Sequence, residues 1–535
     1  MKKKWTRALP WIMVAAAYLL TIAFFALFGS HNMGGDDGSE ILHAALVNRD
    51  GGWVHTENWI YSTELRVISP TVLYQIGLKL MPTWHLARVF AQAASLALVL
   101  ACFLFMAKQL GMKKATPYLA TVLMLPFNDV YDYVVAYGLH YSVHLMLAFL
   151  ILGLVFRFAQ KDKRGGALSL LAIAGLGLWS GLGGVRMLMM IVAPLMGAAA
   201  LMALMEMKQH ETFRASLKTP SVRMAGASAL CFGTTAVGYV LSLMLFKDKY
   251  TYFSYTDIGM ARFRMSELIN QFSSMLYDLG YVEGVSLMSI RGINNLLTVV
   301  IALALAAAVW RMFVRWQEID VRHRLLALTA VMAILVGMLC NILLAQVLTR
   351  YFMVGTLLLF VVLALALEIE PCKNALLRTF ALLAMVGCCA FGAQCILRYD
   401  YKMNDVNYEM AADWLVENGY TQGYATYWNA NILSAASDGQ LDMWVLSDST
   451  HGLYAGEWRT MGMQRILQEK HKLTEDPQGK VFLLVTEAEQ AEGSPLLDPA
   501  HYVDMVAWSY HVYEYDSAAQ MRELIANAPV EEETK

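Results

Sequence analysis

The sequence predicts a polytopic α-helical membrane protein that ends in a small α/β domain. Three observations predict this fold class: a series of long apolar runs, basic residues in every second loop between them, and a change to soluble composition after residue 397. The 535 residues are 58% hydrophobic and only 16% charged, and the mean hydropathy is +0.45. Such a composition lies outside the range of soluble globular proteins.

The apolar runs predict about eleven membrane helices, because roughly 20 residues cross the hydrocarbon core of a bilayer. The runs lie at 9–28, 86–107, 116–127, 141–159, 167–183, 186–205, 224–246, 293–314, 325–347, 351–369 and 379–396, with those at 116–127 and 167–183 shorter than the rest. The first run reaches Phe28 without a small-residue cleavage site. We therefore expect a retained membrane anchor and not a signal peptide.

Short basic loops predict the orientation of these helices. The basic segments are Lys2–Arg7, Lys108–Lys114, Lys161–Arg164, Lys208–Arg223, Arg311–Arg324 and Lys373–Arg378. Cytoplasmic loops carry the excess of Lys and Arg in membrane proteins. With an odd number of helices, the N-terminus is expected in the cytoplasm of a multi-pass cell-membrane protein, and the C-terminal domain outside it.

Two domains follow from this division. Residues 1–397 form a transmembrane module whose outer loops, 30–85 and 247–291, are rich in Trp and Tyr, which is typical of helices in the membrane interface. Residues 398–535 form the extracytoplasmic α/β domain. Its pattern predicts a helix over 408–418 and strands at 423–428, 440–446, 480–486 and 511–516.

The sequence Asp36-Asp37-Gly38-Ser39-Glu40 comes shortly after the first helix, in a loop where we expect solvated, ionised acids at the outer membrane face. The same topology brings several cations and polar side chains to that face. They are Arg88, Arg186, Arg350 with the adjacent Tyr351, and the stretch 128–144 with Asp129, Asp132, His140 and His144. A carboxylate can accept a proton while guanidinium groups hold a phosphate. This combination is suited to chemistry on the head group of a lipid.

The stretch from Asp36 to Gly111 resembles the opening of the GT-C glycosyltransferases, such as the protein mannosyltransferases and aminoarabinose transferases. The matching residues are the acidic pair Asp36-Asp37, GGW at 51–53, SPTVLY at 69–74, LARV at 86–89, and the later Arg350-Tyr351. The sequence departs from the family pattern at its second acid, which is commonly Glu, and in the step before Tyr74. The resemblance therefore does not identify an acceptor.

The resemblance implies an enzyme that transfers sugar from a polyprenyl phosphate to an acceptor at the outer face, with inversion of the anomeric centre. Asp36 or Asp37 would be the general base, with Asp36 favoured, and Glu40 would support it. Arg350, Arg186 and Arg88 would bind the lipid phosphate, together with His140 and Tyr351. No metal site or cofactor is predicted, although paired acids are compatible with a divalent cation. The acceptor could be a glycan, a lipid or a protein.

Other interpretations remain open. Asp36-Asp37 could be a solvated turn, Arg88 and Arg350 could be interface anchors, and Arg186 could simply begin a helix. His140 and His144 have a metal-compatible spacing but no third ligand. The alternative functions are a polysaccharide polymerase or ligase with a pyrophosphate-linked donor, a lipid or sugar transporter, and a receptor-like glycan-binding protein. Nothing predicts a nucleic-acid partner.

Overall fold

The computed structural model describes most of the chain. The described residues are 2–29, 33–62, 65, 67–160, 163–208, 219–253, 265–286, 288–343, 349–398, 407–445, 478–492 and 496–527. Parts of two predicted basic loops, 161–162 and 209–218, lie outside them. The helices before residue 399 are α1 (Lys2–Phe28), α2 (Gly35–Arg49), α3 (Thr71–Leu80), α4 (Trp84–Leu110), α5 (Thr116–Leu123), α6 (Asp129–Tyr131), α7 (Ser142–Ala159), α8 (Lys163–Leu182), α9 (Ala193–Met207), α10 (Pro220–Phe246), α11 (Met265–Tyr277), α12 (Ile290–Val314), α13 (Val321–Leu343), α14 (Met353–Ala366) and α15 (Ala375–Arg398).

Each of the predicted apolar runs contains a helix, which confirms the helical membrane class. Among the described residues, eight helices are long and apolar enough to cross a membrane, and the helices at 166–182 and 353–366 are apolar but shorter. Helix α5 has eight residues and spans only about 12 Å. It is too short to cross the bilayer alone, so the count of eleven spans is not confirmed.

The membrane helices pack in neighbouring pairs: α4 along α7, α8 along α10, α12 along α15, and α13 along α14. Gly181 in α8 and Gly238 in α10 allow one of these pairs to approach closely. A Cβ at Gly181 would overlap the carbonyl oxygen of Thr235, and a Cβ at Gly238 would overlap that of Leu178. Small residues at helix crossings serve this purpose in membranes. The sequence around Gly181 therefore belongs mainly to a helix contact, and the turn that follows uses Gly184 at φ +96°.

Basic segments from different loops meet at one end of the helix bundle. Arg322 donates to the carbonyl oxygen of Gln109, and Arg311 donates to that of Cys372 at 3.4 Å. The carboxylate of Glu368 accepts from the backbone N–H of Lys113 at 2.9 Å. This clustering agrees with the alternation of basic loops in the sequence.

The two outer loops are joined to each other. Strand β1 (Ile60–Ser62) pairs in parallel with β2 (Thr251–Phe253), so Tyr61 lies opposite Tyr252. The rings of Trp59 and Tyr61 are fully buried, and Tyr61 contacts the ring of Tyr250 edge-on at 5.6 Å. Several aromatic residues of these loops, among them Trp59, Tyr61 and Tyr250, therefore form a packed core. The loops also contain the helices α2, α3 and α11, in agreement with the helices expected from composition.

The C-terminal region is an α/β unit built on a five-stranded mixed sheet. Its elements are α16 (Asn407–Glu417), β3 (Gln422–Ala425), α17 (Tyr427–Ala436), β4 (Asp442–Val445), β5 (Val481–Thr486), α18 (Glu487–Glu492), β6 (Tyr502–Val506), β7 (Tyr510–Tyr515) and α19 (Ala518–Asn527). The strand order is β4-β3-β5-β7-β6, with the first three parallel and the last two antiparallel to their neighbours. The helix and four strands predicted here are confirmed.

Two features of this unit differ from the prediction. The strand predicted over 423–428 ends at Ala425, because a helix begins immediately afterwards: the carbonyl of Thr426 accepts from the N–H of Ala430 at 2.9 Å. Strand β6 was not predicted. Most of its side chains are exposed, so its sequence lacks the apolar alternation of a half-buried strand.

Candidate active site

The acidic sequence after the first helix forms the first turn of helix α2. Asp36 and Asp37 follow directly after Gly35, and the carboxylate of Asp37 accepts from the backbone N–H of Gly34 at 3.0 Å. The N-terminus of a helix carries a partial positive charge that favours carboxylates. The expectation of a solvated loop is therefore wrong: Asp37 and Glu40 are 7% and 6% exposed, because α2 packs beneath the C-terminal helix α17.

His140 lies between the two buried acids of α2. Its Nε2 is 3.5 Å from Asp37 Oδ1, and its Nδ1 is 3.6 Å from Glu40 Oε1. Burial opposes a charge on the imidazole, but the two carboxylates outweigh it and raise the pKa of His140 to about 10. His140 is thus a cation at neutral pH, held between two anions.

The same cluster keeps Asp37 ionised. Burial acts against its charge, but His140, the charge of Arg88 and the N–H of Gly34 together lower the pKa of Asp37 below its ordinary value. Arg88 is 4% exposed; its Nη1 donates to the carbonyl oxygen of Gly29 at 3.3 Å, and its guanidinium lies 5.2 Å from the centre of the Phe25 ring. Arg88 is therefore buried inside the protein, and its charge acts on Asp37.

Asp36 has a different environment from Asp37. It is only half-buried, and its carboxylate accepts a hydrogen bond from the hydroxyl of Tyr133. Burial, and after it the charge of Asp36, raises the pKa of Tyr133, so the phenol remains protonated and donates. The positive charge of Arg350 acts on the same phenol.

The remaining predicted residues are Arg186, Arg350 and Tyr351. The guanidinium of Arg186 lies 5.9 Å from the ring centre of Tyr141, the residue next to His140. Arg350 and Tyr351 lie in the 3₁₀ turn Thr349–Tyr351, ahead of α14, and both are half-buried. The backbone carbonyl of Tyr351 faces Gly337 in α13. His140 contacts the acids directly, and Arg186 contacts the segment that carries His140. Arg88 and Arg350 act through their charges, on Asp37 and on Tyr133 respectively.

The segment that carries His140, residues 129–144, contains two further side chains that interact with the acids, Tyr133 and Asp132. Tyr133 was not singled out at all. Asp132 was noted only as one of several polar residues; burial, with the negative charges of Asp129 and Asp37, raises its pKa well above the ordinary value and keeps it neutral. Both lie in a π-helical turn, Asp132–Ala136, and such turns are frequent at functional sites. The one sequence signal was the density of Asp, Tyr and His in a short connection.

The side chains of the described residues suggest no metal centre. No group of three or more His, Cys, Asp or Glu side chains is arranged there to hold a metal ion. His140 and His144 do not act as a pair, because His140 is engaged with Asp37 and Glu40. A divalent cation at the paired acids stays a prediction.

Comparison with solved structures defines the fold. The chain superposes on ArnT from Cupriavidus metallidurans bound to undecaprenyl phosphate with a TM-score of 0.53 and 13% identity, covering 94% of this chain and 97% of that one. It superposes on the Archaeoglobus fulgidus oligosaccharyltransferase, tethered to an acceptor peptide containing the NVT sequon, with a TM-score of 0.50 and 11% identity over 90% and 69% of the two chains. No protein-family profile and no curated protein sequence matches the chain.

These structures are GT-C glycosyltransferases. The chain therefore has the GT-C fold, as the resemblance between Asp36 and Gly111 predicted, and it is a multi-pass membrane protein. At such low sequence identity, the likeness establishes the fold and leaves the roles of individual residues as predictions.

Proposed function

We propose that this protein transfers a sugar from a polyprenyl-phosphate donor to an acceptor hydroxyl, with inversion at the anomeric carbon. The observation that carries this proposal is the difference in burial and in hydrogen-bond partners between two adjacent acids. Asp36 is half-buried beside Tyr133, whereas Asp37 is buried and engaged with His140. The fold supports the donor class, since the structure of ArnT with this fold contains undecaprenyl phosphate.

Asp36 is the better candidate for the general base because it is the more accessible acid. The acceptor hydroxyl would give its proton to the Asp36 carboxylate while its oxygen attacks the anomeric carbon of the donor. The bond between that carbon and the phosphate oxygen then breaks, and its electron pair leaves with the lipid phosphate. A phosphate is a good leaving group, so one displacement suffices and inverts the anomeric centre.

The cations near the acids would stabilise the charge that develops on the departing phosphate. His140 is positively charged at neutral pH, and the positive charge of Arg350 acts on the phenol that donates to Asp36. Positive groups that are already fixed in a partly dry site lose little energy in reorganisation during the reaction. Arg88 is buried behind Asp37, which suits a supporting role, and Arg186 with Tyr351 would extend the phosphate site along the same end.

The orientation of the protein follows from charge. The clustered basic segments would face the cytoplasm under the positive-inside rule. The acid helix α2 and the C-terminal domain would then face the opposite, extracytoplasmic side, where the transfer would occur.

A reconstitution experiment tests the function whichever sugar is transferred. Purified protein is added to membranes from cells that lack it, and mass spectrometry follows free polyprenyl phosphate and new glycosides; we call this the polyprenyl phosphate release assay. The wild type should generate both products. The double variant Asp36→Ala/Asp37→Ala should generate neither, while Glu57→Ala, an exposed acid of the same loop, should match the wild type. Undiminished release by the double variant would overturn the proposal, and transbilayer movement of sugar-lipid without any glycoside would indicate a transporter.

A further inference from the structure

Among the described residues, the hydrophobic core of the C-terminal unit continues into the membrane module. One continuous buried cluster contains its residues Ala430 and Leu433 together with Ile41 of α2 and Ala87 of α4, all 0% exposed. Helix α17 of the C-terminal unit packs directly along α2. The helix that carries the three acids is therefore enclosed between the membrane module and the C-terminal unit.

Two polar contacts attach the C-terminal unit to the backbone on either side of the acids. The hydroxyl of Tyr408 accepts from the backbone N–H of Met33 at 3.1 Å, three residues before Asp36. The carboxylate of Asp438 accepts from the N–H of Trp84 at 2.6 Å, at the start of the helix that carries Arg88. Both contacts thus lie close along the chain to groups of the candidate site.

Tyr408 also lies within the electrostatic field of the site. It is only 9% exposed, and the charges of Arg88 and Asp37 both act on its phenol. Burial, the strongest influence, raises the pKa of Tyr408, so the phenol stays neutral beside the charged groups.

Gly38 lies directly against the backbone of the C-terminal unit. A Cβ at Gly38 would lie 2.6 Å from the backbone oxygen of Asn431 and 3.0 Å from the backbone nitrogen of Ile432. Backbone atoms cannot move aside as a flexible side chain can, so only glycine fits without a shift of α2. Gly38 follows Asp37 directly, and any such shift would move the acids.

We propose that the C-terminal unit is a positioning part of the catalytic site: through Tyr408 and the contact of Gly38 with Asn431, it fixes the helix that carries Asp36, Asp37 and Glu40 against His140. The catalytic meaning of this inference rests on the proposed function, but the positioning itself can be measured separately. Tyr408 and Gly38 are positioning residues, because they act through the acids and do not touch the reacting groups.

The titration of His140 measures the positioning directly. The full-length protein in lipid nanodiscs is labelled with ¹³C-histidine, and His140→Gln identifies the signal. The groups that surround this imidazole are Asp37 and Glu40 of α2, with Tyr133 of its own segment against its ring. Tyr408→Phe and Gly38→Ala should lower the observed pKa of His140 toward its ordinary value by about one unit or more, because both change the distance to the acids.

Two control variants match these substitutions. Tyr420→Phe removes a hydroxyl that donates to Glu514 within the C-terminal unit, at 2.9 Å. Gly226→Ala adds a methyl group within a helix, where no side chain and no other element lies within 4 Å. Both should leave the His140 titration unchanged. If Gly38→Ala fails to fold, Tyr408→Phe alone tests the positioning role, because it removes only the hydroxyl oxygen of one side chain.

An unchanged His140 titration in Tyr408→Phe, and in a folded Gly38→Ala, would overturn the positioning role. The release assay tests the effect on catalysis. Loss of one hydrogen bond in Tyr408→Phe should lower the rate of polyprenyl phosphate release about tenfold, and this result would support the inference in full. A wild type that shows no release refutes the proposed function but leaves the titration to decide the positioning.

Discussion

The imidazole of His140 lies 3.5 Å from the carboxylate of Asp37, and on its other side it faces Glu40 at 3.6 Å. Both acids are almost fully buried, so each charge depends on the other for its stability. This arrangement distinguishes Asp37 from Asp36 and suggests why the chain has two acids in sequence: one holds a cation in place, and the other remains accessible to an acceptor.

The first prediction concerns stability against pH. The pKa of His140 rises from 6.5 to about 10 on folding, so its contribution is complete below pH 6.5 and is lost as the pH rises toward 10. Thermal unfolding of the wild type and of His140→Gln should therefore differ most near pH 6.5, by roughly 3 kcal/mol for a broken buried ion pair. The difference should shrink at higher pH. A constant difference from pH 6.5 to 10 would contradict a charged His140.

The second prediction separates the two adjacent acids. Asp36→Asn should reduce the rate in the release assay about a thousandfold, as expected for the loss of a general base, and should leave the thermal stability almost unchanged. Asp37→Asn should instead destabilise the protein and lower the pKa of His140, because it removes one of the two anions beside it. If Asp37→Asn abolished activity with normal stability while Asp36→Asn remained active, the assignment of the base would be reversed.

The third prediction concerns Tyr133. Tyr133→Phe removes the hydroxyl that donates to Asp36. We expect about a tenfold lower rate in the release assay, since one hydrogen bond orients the base, with wild-type thermal stability because the ring is 39% exposed. Tyr118→Phe, at a similarly exposed tyrosine, serves as the control. A wild-type rate in Tyr133→Phe would show that this phenol has no part in the reaction.

The fourth prediction concerns the phosphate. Arg350→Ala should weaken the binding of undecaprenyl phosphate about tenfold, as expected for a charge-assisted hydrogen bond. Binding can be measured by titration of the lipid into the purified protein. Arg315→Ala is the matched control, because Arg315 is paired with Glu318 at 2.8 Å in a different part of the chain. Equal affinities of Arg350→Ala and the wild type would remove Arg350 from the phosphate site.

Hydropathy was sufficient to locate the membrane helices, because the thickness of the bilayer sets their length. The same approach did not predict α2 as a helix. Asp and Gly favour turns in short segments, and the sequence Asp36-Asp37-Gly38 gave no local sign of the neighbours that cover it. Burial against α17, which is close only because of the glycine, favours the helix.

The predictable part of the site came from charge and topology, and the resemblance then supplied roles. The acidic pair, Arg88 and His140 were named because they share one predicted face, and the charges of His140 and Arg88 both act on Asp37 in the structure. The roles of Tyr133 and Tyr408 depend on contacts across 97 and 375 residues of sequence. No local pattern reports such contacts, so these two residues required the structure.

The lipids of the cells that make this protein provide the most direct test of the central claim. In cells where Asp36→Ala/Asp37→Ala replaces the wild type, mass spectrometry of the lipid extract should show accumulation of one polyprenyl monophosphate sugar, which would also identify the donor. Unchanged lipids, or accumulation of a pyrophosphate-linked oligosaccharide in its place, would contradict the claim that these acids transfer sugar from a polyprenyl monophosphate.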